Sequence, residues 1–123
     1  MGSSYAPQRT TYDTGDRRWL PDLLAAETHG VSLNGDLFSA GVVKSGTDIG
    51  IVTATKLAGP YDPAATDGRQ KADGHLLNDQ KVEAGGRYHV AAVHAGTVKR
   101  DLLPAGSGHD AAAEADLTTI AYR

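Results

Sequence analysis

Residues 40–57, "AGVVKSGTDIGIVTATKL", are the stretch whose reading decides the fold. Val42 and Val43 run into Ser45, Gly46 and Thr47, a small-residue turn. Beyond it Ile49, Ile51, Thr53, Thr55 and Leu57 fall on alternate positions. β-Branched residues at a period of two place one set of side chains on one face of a strand. The spacing therefore predicts a strand before the turn, a longer one over 49–57, and a mainly β fold.

Downstream, "GPYDPAATDGRQKADGHLLND", residues 59–79, interrupts this pattern with glycines, prolines and four aspartates, and is read as a long shaped connection. Its aspartates invite a calcium reading that the spacing refuses. Counted from Asp62, the sixth place holds Asp67 where an EF-hand loop needs glycine, and the twelfth holds Asp73 where it needs glutamate. Its glycines match neither the dinucleotide fingerprint nor the P-loop. Two or three short strands follow around the Gly85-Gly86 turn, with Tyr88, Val90, Ala92 and His94 on one face and His89, Ala91, Val93 and Ala95 on the other. Both faces are small and mildly apolar, as in a barrel or a buried subunit contact. The chain closes on "HDAAAEADLTTIAYR", 109–123, where Asp110 can cap a helix with Leu117, Ile120 and Ala121 as its apolar stripe.

Upstream, "WLPDLLAAETHG", 19–30, is expected to form a short helix with Pro21 in its first turn and Gly30 at its close. A strand over 31–33 and a tight turn at Asn34-Gly35 come next. Residues 1–18 have too little apolar content to offset their own ordering entropy, so a flexible N-terminal arm is expected there, followed by one domain over 19–123. "QRTTYDT" within the arm carries the β-branched and aromatic residues that suit joining the edge of a partner's sheet.

Length and charge narrow the function. A chain of 123 residues is the size of one domain. A net charge of −3, with the short basic pairs Arg17-Arg18 and Lys99-Arg100 beside acidic neighbours, argues against nucleic-acid binding by phosphate neutralisation. Without cysteine there is no disulfide, zinc-thiolate site or cysteine nucleophile. The first residues lack the apolar core of a secretory signal, and no apolar run reaches the ~20 residues of a membrane span. The five histidines show neither helical i, i+4 nor alternate-strand pairing, so they read as scattered surface or interface residues. No serine sits in a G-x-S-x-G elbow. Neither a catalytic residue, a cofactor nor a metal is expected, and an enzyme is the weakest reading.

Taken as an ordered set, "HGVSL", "SGTDIGIVTATKLAGPYD", "DGRQKADGHL" and "YHVAAVHAGTVKRDLLP" resemble the head decoration proteins of tailed bacteriophages, the group that includes that of phage lambda. The likeness covers roughly residues 19–104. It is most specific from Ser45-Gly46-Thr47 through the "GPYD…DGRQ" block, with Ala92, His94, Gly96, Val98, Leu103 and Pro104 in support. The resemblance implies a small barrel-like β domain with short helices, one near the C-terminus. It implies homotrimers at three-fold positions on the outer surface of an expanded icosahedral capsid, clamping the major capsid protein against internal DNA pressure after synthesis in the bacterial cytoplasm. Partners would thus be the chain itself and the major capsid protein, with no nucleic acid and no membrane. Tyr5, Arg9, Thr10, Thr11, Tyr12 and Trp19 are the expected capsid-binding residues of the arm. Pro60, Tyr61, Asp62, Asp67, Gly68, Arg69 and Gln70 are the expected trimer or capsid contact loop. A small β-barrel adaptor or tail-associated virion protein is the competing reading.

Overall fold

A computed structural model describes residues 15–123. Among them run eight strands: β1 Glu27–Asn34, β2 Gly41–Val43, β3 Asp48–Ile51, β4 Ala58–Pro60, β5 Gly74–Leu76, β6 Gln80–Val82, β7 Arg87–Val98 and β8 Ile120–Tyr122. The single α-helix among them, α1, is Ala111–Asp116. The main sheet runs β1-β4-β3-β5-β7-β8, and β1 also pairs with β7, so five strands return on themselves in a barrel-like ring with β8 added outside it. The long antiparallel β1–β7 ladder is its spine, and one parallel bridge, Leu33 to Ala58, completes the circuit. β2 and β6 form a separate two-stranded ribbon.

The alternation read along β7 is used on both faces. Ala92, with Tyr88 and Val90 against it, joins a core of Leu33, Val43, Ile49, Ala58, Leu76 and Val82. Val93 joins a second core with Trp19, Leu20, Tyr61, Val98, Ala113, Leu117 and Ile120. Two modest cores on either side of one strand explain how a chain with one Trp and one Phe holds together without one large aromatic centre.

Several local expectations give way. The helix expected over 19–30 shrinks to a 3-10 turn, Leu23–Ala25, capped by the Asp22 carboxylate. Gly30 lies inside β1 opposite Ala91, because the β7 ladder offers eight residues of pairing that a short helix cannot match. The long strand over 49–57 ends at Ile51. Lys56 N–H bonds back to the Val52 carbonyl at 2.8 Å, and the chain reverses into β4, antiparallel to β3. At the C-terminus Asp110 caps α1 as expected, accepting the Ala113 N–H, but the helix stops at Asp116. Leu117 serves as its C-cap and Ile120 and Ala121 belong to β8, so the three residues form no helical stripe. No helix among the described residues is long and apolar enough to cross a membrane.

Candidate functional site

The contact loop is a structure in its own right. Its two limbs are tied by Asp62 N–H to the Arg69 carbonyl at 3.0 Å, and Asp62 turns its carboxylate onto the Ala64 N–H at 2.9 Å. Gln70 Oε1 accepts the Gly68 N–H at 2.8 Å, and Thr53 N–H reaches the Asp67 carbonyl at 2.9 Å. Gly68 stands at φ +119, where a side chain would meet the Ile51 carbonyl and the Thr53 backbone. The Arg69 backbone N–H, together with its guanidinium 3.1 Å away, holds the Asp67 carboxyl below its ordinary range. At the loop's base the strand presses directly on it: a Cβ on Gly50 would lie 2.8 Å from Arg69 Cα.

The expected contact residues divide by burial. Asp67 and Gln70 are exposed, while Pro60, Asp62, Gly68 and Arg69 are half-buried. Tyr61 is buried in the core, and its hydroxyl donates to Asp110 Oδ1 at 2.9 Å, tying the loop to the cap of α1. Trp19, grouped in sequence with the arm, is fully buried and donates from Nε1 to Ser45 Oγ at 3.0 Å. Tyr5, Arg9, Thr10, Thr11 and Tyr12 lie outside the described residues. The exposed large apolar side chains of the described residues lie elsewhere: Leu24, 98% exposed, and Leu23 in the turn after Trp19, with Val42 on β2 and Leu102 after β7.

The histidines correct the reading of scattered residues. His75 on β5 and His109 before α1 converge on Asp48 of β3, where His75 and Asp48 are fully buried. His109 Nδ1 lies 2.8 Å from Asp48 Oδ2, and its Nε2 lies 2.9 Å from Glu114 Oε2. His75 Nε2 meets the Tyr122 hydroxyl at 2.7 Å, and its Nδ1 is aimed at the Gly46 carbonyl at 3.0 Å. Asp48 Oδ1 is only 2.9 Å from the same Nδ1, but off its N–H direction, and has no hydrogen bond. Burial alone would lower the His109 pKa, yet its bonds to Asp48 and Glu114 prevail and raise it. Arg100, bonding Glu114 through two nitrogens at 2.8 and 3.0 Å, leads the effects that hold that carboxyl down to about 2. Burial, and then the Asp48 charge, push the Tyr122 phenol far up. The one clue in the sequence was Asp48 itself, a charge set beside Ile49 and Ile51 in the most strand-like run. Its histidine partners come from segments far apart in the chain, which no spacing rule joins. The remaining histidines make contacts nearer the surface: His29 Nε2 lies 2.8 Å from Asp73 and its ring packs edge-on to His94, while His89 Nδ1 lies 2.9 Å from Ser32 Oγ.

A barrel-like ring of strands with one short helix, carrying a long, self-bonded loop on its surface, defines a small, mainly β protein. The family model for bacteriophage lambda head decoration protein D matches residues 15–121. The chain belongs to that family, whose place is the capsid of the virion. It matches no curated protein and no solved structure at a significant level.

Proposed function

We propose that this head decoration protein binds as homotrimers at the three-fold positions of the expanded capsid's outer surface and cements the major capsid protein against internal DNA pressure. The observation that carries this reading is the family match over 15–121, which spans both cores and the contact loop. In this reading the part of the 1–18 arm ahead of Gly15 makes the contact, with Tyr5, Arg9, Thr10, Thr11 and Tyr12 adding a strand beside a capsid segment. Backbone hydrogen bonds then supply affinity with little demand on side chains. The exposed Leu23 and Leu24, next to where the arm meets the domain, are apolar surface that such a contact would cover. The 60–70 loop supplies a second contact, to a sister subunit or to the shell.

Magnitudes favour the trimer. Ordering one arm takes back about 2–5 kcal/mol, so a single arm binds weakly. Three arms on one body gain about 10²–10⁴-fold in avidity. Expansion would switch binding on if the accepting edges reach the right spacing only in the mature lattice.

Co-sedimentation with expanded and unexpanded shells lacking this protein tests the reading. The full chain is compared with one that begins at Gly15, because Gly15 already packs against Asp79 and belongs with the body. The expected result is saturable binding to expanded shells at one trimer per three-fold site, weakened without the arm. Equal binding to unexpanded shells removes the gating, and binding to neither shell favours the adaptor reading.

A further inference from the structure

The buried Asp48–His75–His109 cluster sits beneath the contact loop, where Tyr61 N–H bonds to the Asp48 carbonyl at 3.0 Å, and takes in none of the residues named for shell contact. Asp48, His75 and His109 each offer a ligand atom, all within 4.8 Å of one another. Two imidazoles and one carboxylate are a donor set for a zinc-class divalent ion, whereas calcium and magnesium favour oxygen alone. A second observation points the same way. Asp48 Oδ1 is buried without a hydrogen bond, while the nearest N–H turns away to Gly46. A buried carboxylate oxygen left bare is costly, and a cation among these donors is the partner it lacks.

The surroundings fit as well. A histidine that ligates through one nitrogen usually donates from the other to an oxygen that fixes its ring. His109 has Glu114 at 2.9 Å for that role, with Arg100 bracing the carboxylate in turn. His75 has the Tyr122 hydroxyl at 2.7 Å. Bonds of about 2.0–2.1 Å to a tetrahedral ion set donors about 3.3 Å apart. His75 Nδ1 lies 2.9 Å from Asp48 Oδ1 and His109 Nδ1 lies 2.8 Å from Asp48 Oδ2, so the carboxylate faces both imidazoles and these separations would open slightly around an ion.

We propose that Asp48, His75 and His109 form a zinc-class metal site, in which the ion fastens β3, β5 and the segment before α1 to one another. The Gly46 carbonyl, 3.0 Å from His75 Nδ1, is a further oxygen beside the donors. With Glu114 on α1 and Tyr122 on β8 as outer partners, the ion would tie the end of the chain to the ring.

The test is zinc chloride titrated into the full chain after chelator treatment, followed by calorimetry and by histidine ring ¹⁵N resonances. Saturable binding of one ion per chain, with shifts at His75 and His109 and a raised Tm, is expected. Binding should fall by more than about 10–100-fold in His109→Gln, since that range applies to losing an outer partner and this change removes a ligand, at the less buried side of the cluster. It should be unchanged in His29→Ala, which disrupts the surface histidine pair. Absence of saturable binding by the unaltered chain overturns the proposal. So do resonance shifts confined to His29, His89 and His94, an outcome that needs no variant to fold. Shell binding is read separately, so the two proposals fail independently.

Discussion

Trp19 shows how much this small core asks of single residues. Its ring is fully buried, its N–H is satisfied by Ser45 Oγ, and that hydroxyl donates onward to the Leu77 carbonyl at 2.6 Å. Truncating Trp19 to Ala is expected to cost about 3–5 kcal/mol, read by urea unfolding followed by circular dichroism. Ser45→Ala removes little volume but leaves the indole N–H buried without an acceptor, which costs about 1–3 kcal/mol. If Ser45→Ala costs nothing in a Trp19→Phe background, the loss belongs to that hydrogen bond. Tyr61 carries a pH signature. Burial, aided by its bond to Asp110, pushes its phenol from an ordinary 10.0 up to about 12. The folded chain thus holds a proton that the unfolded chain has already released. The resulting stability is complete below pH 10 and is lost as pH rises towards 12. Tyr61→Phe is expected to lessen that alkaline decline in unfolding curves taken across the same window, leaving the part that the raised Tyr122 phenol contributes.

At the scale of elements, the join of β3 to the contact loop decides whether the loop keeps its shape. Gly50 has no room for a methyl group, since Arg69 Cα and the Arg69 carbonyl both stand within 2.9 Å of where it would be. Gly50→Ala is expected to destabilise the fold by about 1–3 kcal/mol through overpacking. The effect should be local first. Amide exchange should quicken at Asp62 and at Asp73, whose N–H bonds to the Ile49 carbonyl at 2.8 Å, before it quickens along β7. Uniform quickening would mean that the loop and the ring open together. Loss of shell binding by a folded Gly50→Ala chain would assign the loop a role in contact.

Across the whole molecule, the C-terminal segment seals the second core. β8 lies parallel to the end of β7, Arg123 N–H bonds to the Val98 carbonyl at 2.8 Å, and the Arg123 carbonyl accepts from Arg100 N–H at 3.0 Å. Ile120 is nearly buried there beside Leu117 and Val98. Ending the chain at Thr119 uncovers that side. Burial of one such isoleucine contributes about 1.5–3 kcal/mol. In a domain of this size the loss is expected to lower Tm by about 10 °C in a calorimetric scan. An unchanged Tm would make β8 an ornament on the ring.

The mainly β character was legible in the sequence because period-two alternation is a local property. Val42-Val43, Ile49 with Ile51, and 88–95 declared their strands without reference to anything distant. Asp110 declared its helix for the same reason, since a cap acts on amides within three residues. Membership of a decoration family was legible in the order of "SGTDIGIV", "GPYD" and "DGRQ". Tertiary structure alone decided where strands stop, because Gly30 extends or ends an element according to whether β7 lies beside it. It also decided that Trp19 and Tyr61 face inward, although the resemblance groups both with contact surfaces. Above all it gathered Asp48, His75 and His109, from β3, β5 and the segment before α1, into one buried cluster. Alternation states which face a residue occupies, but only the closing of the ring states which other segments share that face.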